Sequence, residues 1–128
     1  MSEALFWLYL TNAVLLIDHE IDSAYWKEWD LFHLPGGIAG FLLLHFPLLL
    51  VILYGMAAVA RQQPSGLWFS LLLSAGGIFA FSIHTYFLQK GREEFNQPVS
   101  KFILWSTLLV SLCQLVVTLV HLSGKTLL

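Results

Sequence analysis

Among the 128 residues of this chain, His19, Asp22, His45 and His84 are the side chains whose types and positions suit joint chemistry. His19 and Asp22 are three apart, so on a helix they share a face and can touch a common atom. His45 and His84 come from separate stretches that are otherwise apolar. Imidazole and carboxylate converging where water is scarce suit a divalent cation, and this donor mix accepts Zn, Fe or Mn. Metal sites in helical bundles commonly take an acid and a histidine one turn apart on one helix. The same groups would also serve acid/base chemistry or a proton relay, since histidine titrates near neutral pH. In that role His19, Asp22 and His84 are the expected catalytic residues. A haem held between His45 and His84 is a third arrangement, one with no haem-binding motif behind it. Glu20, Glu93 and Glu94 are outer candidates. Glu20 points about 100° away from His19 around a helix, where it can pair with Lys27.

Three of these side chains, His19, Glu20 and Asp22, belong to one unusual stretch. Asp18–Asp30 holds five of the eight acids, together with His19, Tyr25, Trp26 and Trp29. Its surroundings are greasy: 58% of the chain is hydrophobic and 11% charged, with a mean hydropathy of +0.76. A soluble domain has roughly a quarter of its residues charged. This chain cannot cover a water-facing surface, so it reads as an integral membrane protein with the lipid bilayer as its first partner. Formal net charge is −2 and no basic block exists, which argues against nucleic acid as a partner. The single Cys113 excludes an internal disulfide. The N-terminal apolar run has neither a positive leader nor a small-residue cleavage site, and reads as a retained membrane segment.

Four segments are long enough to hold these residues in a bilayer, at about 20 apolar residues per crossing. They are predicted at roughly 4–30, 38–60, 67–89 and 100–122, in one domain over residues 1–128. The first has a clean apolar run only to Ile17. It must continue into the acidic stretch, which then lies at one membrane face, side B, with Tyr25, Trp26 and Trp29 as interfacial aromatics. Leu34-Pro35-Gly36-Gly37 turns the chain back. Short connections favour antiparallel neighbours, so the expected fold is all-α, an up-down four-helix bundle. Side B carries Lys27, Lys90, Arg92 and Lys101, against Arg61, Lys125 and the N-terminal amine on side A. By the positive-inside rule the acidic, aromatic face is expected to be cytoplasmic.

Depth then sorts the histidines. His45 lies seven residues into its segment, roughly 10 Å from side B, and His84 at a comparable depth. His121 alone belongs to side A. Polar residues also recur at helical spacing. Thr107, Ser111, Gln114, Thr118 and His121 share one face, as do Ser70, Ser74, Gly77 and His84, while Asn12 is two turns before His19. Lipid penalises such groups, so Asn12 and Gln114 should line the interior. Gly76 and Gly77 read as places of close helix approach. Pro47 cannot donate a backbone hydrogen bond and frees the Leu43 carbonyl close to His45, where a kink can open a small cavity.

The run His19-Glu20-Ile21-Asp22, then Tyr25-Trp26-Lys27-Glu28-Trp29, a Pro-Gly-Gly turn, and later His84 with a polar loop ending in Pro98, resembles small bacterial four-helix membrane families. One of these is named for a His-x-x-Glu-Glu motif. The chain departs from it at Asp22-Ser23, where that family has Glu-Glu. The resemblance implies a His/acid site of metal-binding or enzymatic character carried by His19, Asp22 and His84, in a bacterial inner membrane. Three functions follow for testing. One is a metal or acid/base site acting on a small or lipid-like substrate. Another is a proton or solute transporter working as a homo-oligomer, its path lined by Asn12 and Gln114. The last is an accessory subunit holding a partner through Trp26, Trp29 and Phe32.

Overall fold

The computed structural model describes residues 1–124, so the predicted side A charge of Lys125 lies outside the described residues. It is all-helical. The helices are α1 (Glu3–Tyr25), α2 (Glu28–Leu31), α3 (Gly37–Ala60), α4 (Ser65–Gln89) and α5 (Pro98–Leu122). Helices α1, α3, α4 and α5 are long and apolar enough to cross a membrane, as in an integral membrane protein. They run up and down as a ring, each packed on the next and α5 closing against α1. Among the described residues α3 and α5 do not meet.

The predicted first segment differs from the observed one. It is not one helix to residue 30: α1 stops at Tyr25, and Lys27 takes a left-handed backbone at φ 52°. The chain then makes the single turn α2 before the Pro35-Gly36-Gly37 corner, where Gly36 sits at φ 95°. That φ is open to glycine and strained for other residues.

Packing explains the ring. Tyr9, Leu16, Ile52 and Leu73 form the central core. Gly77 lets α4 and α5 close up, since a Cβ there would stand 2.0 Å from Ser111 Oγ. Gly76 does not do the same: a Cβ there would meet nothing within 4 Å. It faces open space instead of a neighbouring helix. At the side B end Leu31, Phe95 and Leu104 form a second cluster with Trp26, Phe81 and Phe87 around it. Phe95 comes from the α4–α5 loop, 1% exposed and at φ 66°, and plugs that end of the bundle.

Candidate functional site

His19 from α1, Glu28 from α2 and His84 from α4 each bring a ligand atom to one place, all within 4.8 Å of one another. His84 Nε2 and Glu28 Oε1 are 3.3 Å apart, and the His19 and His84 rings meet edge-on at 4.6 Å between centroids. The two histidines are 2% and 1% exposed. Phe95 lies against both rings, at 5.5 Å from His19 and 4.1 Å from His84, and Phe32 stands 6.1 Å from His84. Water from the side B surface is thereby kept off the cluster.

The break at Lys27 is what puts Glu28 there. In an unbroken helix Glu28 would lie nine residues past His19, about 13 Å further along and on the opposite face. The turn at Lys27 folds it back toward His84. Burial pushes the Glu28 carboxyl up, but the contact with His84 and that ring's charge outweigh it, with smaller pulls from Ser23 and His19. The net effect holds Glu28 below the usual carboxylate range, as a ready anionic donor. The Ser23 hydroxyl exerts its pull without reaching hydrogen-bond geometry.

The remaining sequence candidates are placed differently. His45 is not part of the group. Its Nδ1 donates to the Phe41 carbonyl at 2.7 Å and its Nε2 meets Glu20 Oε2 at 2.5 Å. Both ring nitrogens are occupied, which leaves none for a metal or a haem iron. The carbonyl it uses is that of Phe41, not the Leu43 carbonyl freed by Pro47. Glu20 therefore pairs with His45 instead of Lys27. Asp22 lies outside the group too, with Oδ2 buried and unpartnered. Glu93 is exposed, and Glu94 is tied to Arg92 at 2.5 Å on the surface. Asn12 and Gln114 face inward but close on each other. Asn12 Nδ2 donates to Gln114 Oε1 at 2.8 Å and to Ser111 Oγ at 3.0 Å, and Gln114 Nε2 donates to Ser70 Oγ at 2.8 Å. Thr118 completes the seam against Ser70 at 2.8 Å.

The proton count of the Glu20–His45 pair follows from its partners. A carbonyl only accepts, so Nδ1 carries a hydrogen. One further proton must then lie between Nε2 and Oε2, and the pair is neutral in sum whichever atom holds it.

The sequence does not mark Glu28 as a ligand, because lysine is a good helix former and gives no stop signal at position 27. The weak clue is composition: a carboxylate so close to a membrane core needs a partner. Beside the cluster runs a cavity of about 620 Å³ between α1, α3 and α4. Its walls are apolar, including Leu16, Leu48, Val51, Leu73 and Gly76, and its polar end is made by His19, Glu20, Glu28, His45 and His84. Pro47 also lines it.

These features define a small helical protein with four candidate membrane spans and a His/Glu cluster at one end. Residues 5–121 match a family of unknown function, DUF6713, and the chain belongs to it. No curated protein and no solved structure matches the chain.

Proposed function

We propose that His19, Glu28 and His84 hold a divalent metal ion, and that the protein works through it on a lipid-like molecule reaching the site from the bilayer. The observation behind this reading is the meeting of three ligand atoms from three separate elements in a buried place. The donors fit. Ligands around a tetrahedral zinc at roughly 2.1 Å stand roughly 3.4 Å apart, and His84 Nε2 and Glu28 Oε1 are 3.3 Å apart. Two histidines and one carboxylate suit zinc, and equally Fe(II) with open positions. Such an ion supplies Lewis-acid polarisation of a bound oxygen and a lowered pKa of bound water.

The protein's own groups supply the rest. Asp22 Oδ2 and His19 Nδ1 are both buried without partners and lie one turn apart on α1. Asp22 is thus the acceptor available to orient His19, in the manner of carboxylates behind metal-ligating histidines. The Glu20–His45 pair, on the same cavity, holds a proton near the site. The excess of Lys and Arg at side B supports a cytoplasmic orientation of that face, and a bacterial inner membrane is the setting we propose.

The test is elemental analysis of purified protein, followed by zinc titration. One equivalent is expected in wild type and none in His84→Ala or Glu28→Gln. Metal-free wild type, or metal content indifferent to both substitutions, overturns the reading.

A further inference from the structure

The cavity beside the cluster is longer than a small ligand needs. Along α4 it is lined from Phe69 to His84, fifteen residues or roughly 22 Å. That is most of one bilayer's hydrocarbon core of about 30 Å. Its volume of about 620 Å³ lies within the range of ligand sites, about 300–1,000 Å³. Leu44 of α3 and Leu72 and Phe79 of α4, all lining it, are more than half exposed on the outer surface. The opening is therefore lateral, between α3 and α4, toward lipid. The wall is apolar along its length and the five ionisable groups sit together at its side B end. Such a shape matches an amphiphile with one apolar chain and one polar terminus. Gly76 adds an independent sign, since its missing side chain leaves open space on the wall, with no helix close enough to require a glycine.

Charge selects the terminus. On the reading above, a divalent ion brings two positive charges, its Glu28 ligand one negative charge, and its two imidazole ligands none. One positive charge remains on the ion and its three protein ligands, which leave a coordination position open toward the cavity. A monoanionic oxygen donor neutralises it.

We infer that the cavity is a binding site for a long-chain fatty acid, its chain lying between α3 and α4 and its carboxylate at the His19–Glu28–His84 site. This rests on the metal reading for the carboxylate end and on the cavity for the chain.

The experiment uses the full protein in phosphatidylcholine nanodiscs with one equivalent of zinc. The probe is a palmitic acid analogue carrying a diazirine on its chain, with the adducts mapped by mass spectrometry. Wild type should be labelled on the cavity faces of α3 and α4, and excess palmitate should compete whereas its methyl ester should not. Gly76→Leu fills the open space and should cut labelling at least tenfold with zinc still bound. Leu48→Trp narrows the facing wall of α3 and should do the same, which guards against misfolding of either variant. Labelling at the wild-type level in both zinc-loaded variants overturns the proposal, as does equal competition by the methyl ester. Wild type that holds no zinc overturns the metal reading and with it the carboxylate assignment, so the two failures are separable.

Discussion

Two buried polar regions lie in the same bundle, and they are built on opposite terms. The seam at Asn12, Ser70, Ser111, Gln114 and Thr118 is wholly enclosed, and its members bond to one another. Only the neighbouring Thr107 hydroxyl is left without a partner there. The side B cluster is largely buried too, yet His19 Nδ1, His84 Nδ1, Asp22 Oδ2, Ser23 Oγ and Trp26 Nε1 have none. Buried polar groups normally find partners, and those that do not call for an explanation. The seam thus has the properties of interhelical glue joining α1, α4 and α5. The cluster has spare donor and acceptor capacity beside a cavity. Both regions are polar and enclosed by the bundle; completeness of hydrogen bonding separates them.

The largest contrast is expected in metal affinity. His84→Ala and Glu28→Gln each remove one of three proposed ligands and should weaken zinc binding by at least about 100-fold, beyond what loss of an outer partner costs. Gln114→Leu, at the seam, should leave zinc affinity unchanged. Calorimetric titration of the three variants in nanodiscs reads this directly. Equal losses in all three would erase the distinction between the regions.

Stability should answer in the other direction. Gln114→Leu leaves one of the two Asn12 Nδ2 hydrogens without an acceptor in a dry interior and takes one of two side-chain partners from the Ser70 hydroxyl. A buried group left unpaired costs about 1–3 kcal/mol, and thermal unfolding of the metal-free protein should show it. His84→Ala removes a side chain whose Nδ1 already lacks a partner, so it forfeits packing against Phe95 and the Glu28 contact, and no closed network. If the seam variant unfolds like wild type, the glue reading of the seam fails.

Much of this was legible in the residues. The four apolar segments, their turns and the inward polar stripes follow from hydrophobic length and helical period, which act locally. His19 and His84 could be matched by depth because both lie on long regular helices. Three things could not. Glu28 depends on a left-handed break at a lysine that has no preference for it. The Glu20–His45 pair depends on the rotation of α3 against α1, which the near-uniform apolarity of α3 does not encode. Gly76 and Gly77 are adjacent and chemically identical, yet one is pressed on Ser111 and the other faces a void. Only the packing of α4 against its neighbours tells them apart.

The break itself can be probed at smaller cost. Lys27 sits at φ 52°, a backbone that non-glycine residues adopt with strain. Lys27→Gly relieves it and should stabilise the fold by up to about 1 kcal/mol, with zinc affinity unchanged because Glu28 keeps its position. A variant that is less stable, or that loses zinc, would mean the lysine side chain and not the turn holds α2 in place.

The finest comparison is between two carboxylates. Glu28 and Glu94 are both held below the usual range: Glu28 by the His84 imidazole against an opposing burial penalty, Glu94 by the exposed Arg92 guanidinium. For a carboxyl lowered in the fold, the folded chain binds fewer protons than the unfolded one. The stabilisation is therefore complete above the ordinary carboxylate value of about 4.3, and fades as pH falls through the lowered one. Glu28→Gln in metal-free protein should accordingly differ most from wild type above about pH 5 and converge with it on acidification. Glu94→Gln should stay within about 0.5 kcal/mol of wild type throughout, since water screens an exposed pair. Chemical denaturation across that range decides the matter. A Glu94 effect as large as that of Glu28 would show that carboxylates at this membrane face act by charge alone. The enclosure by Phe95, Phe32 and the α2 turn would then have no bearing on what Glu28 does.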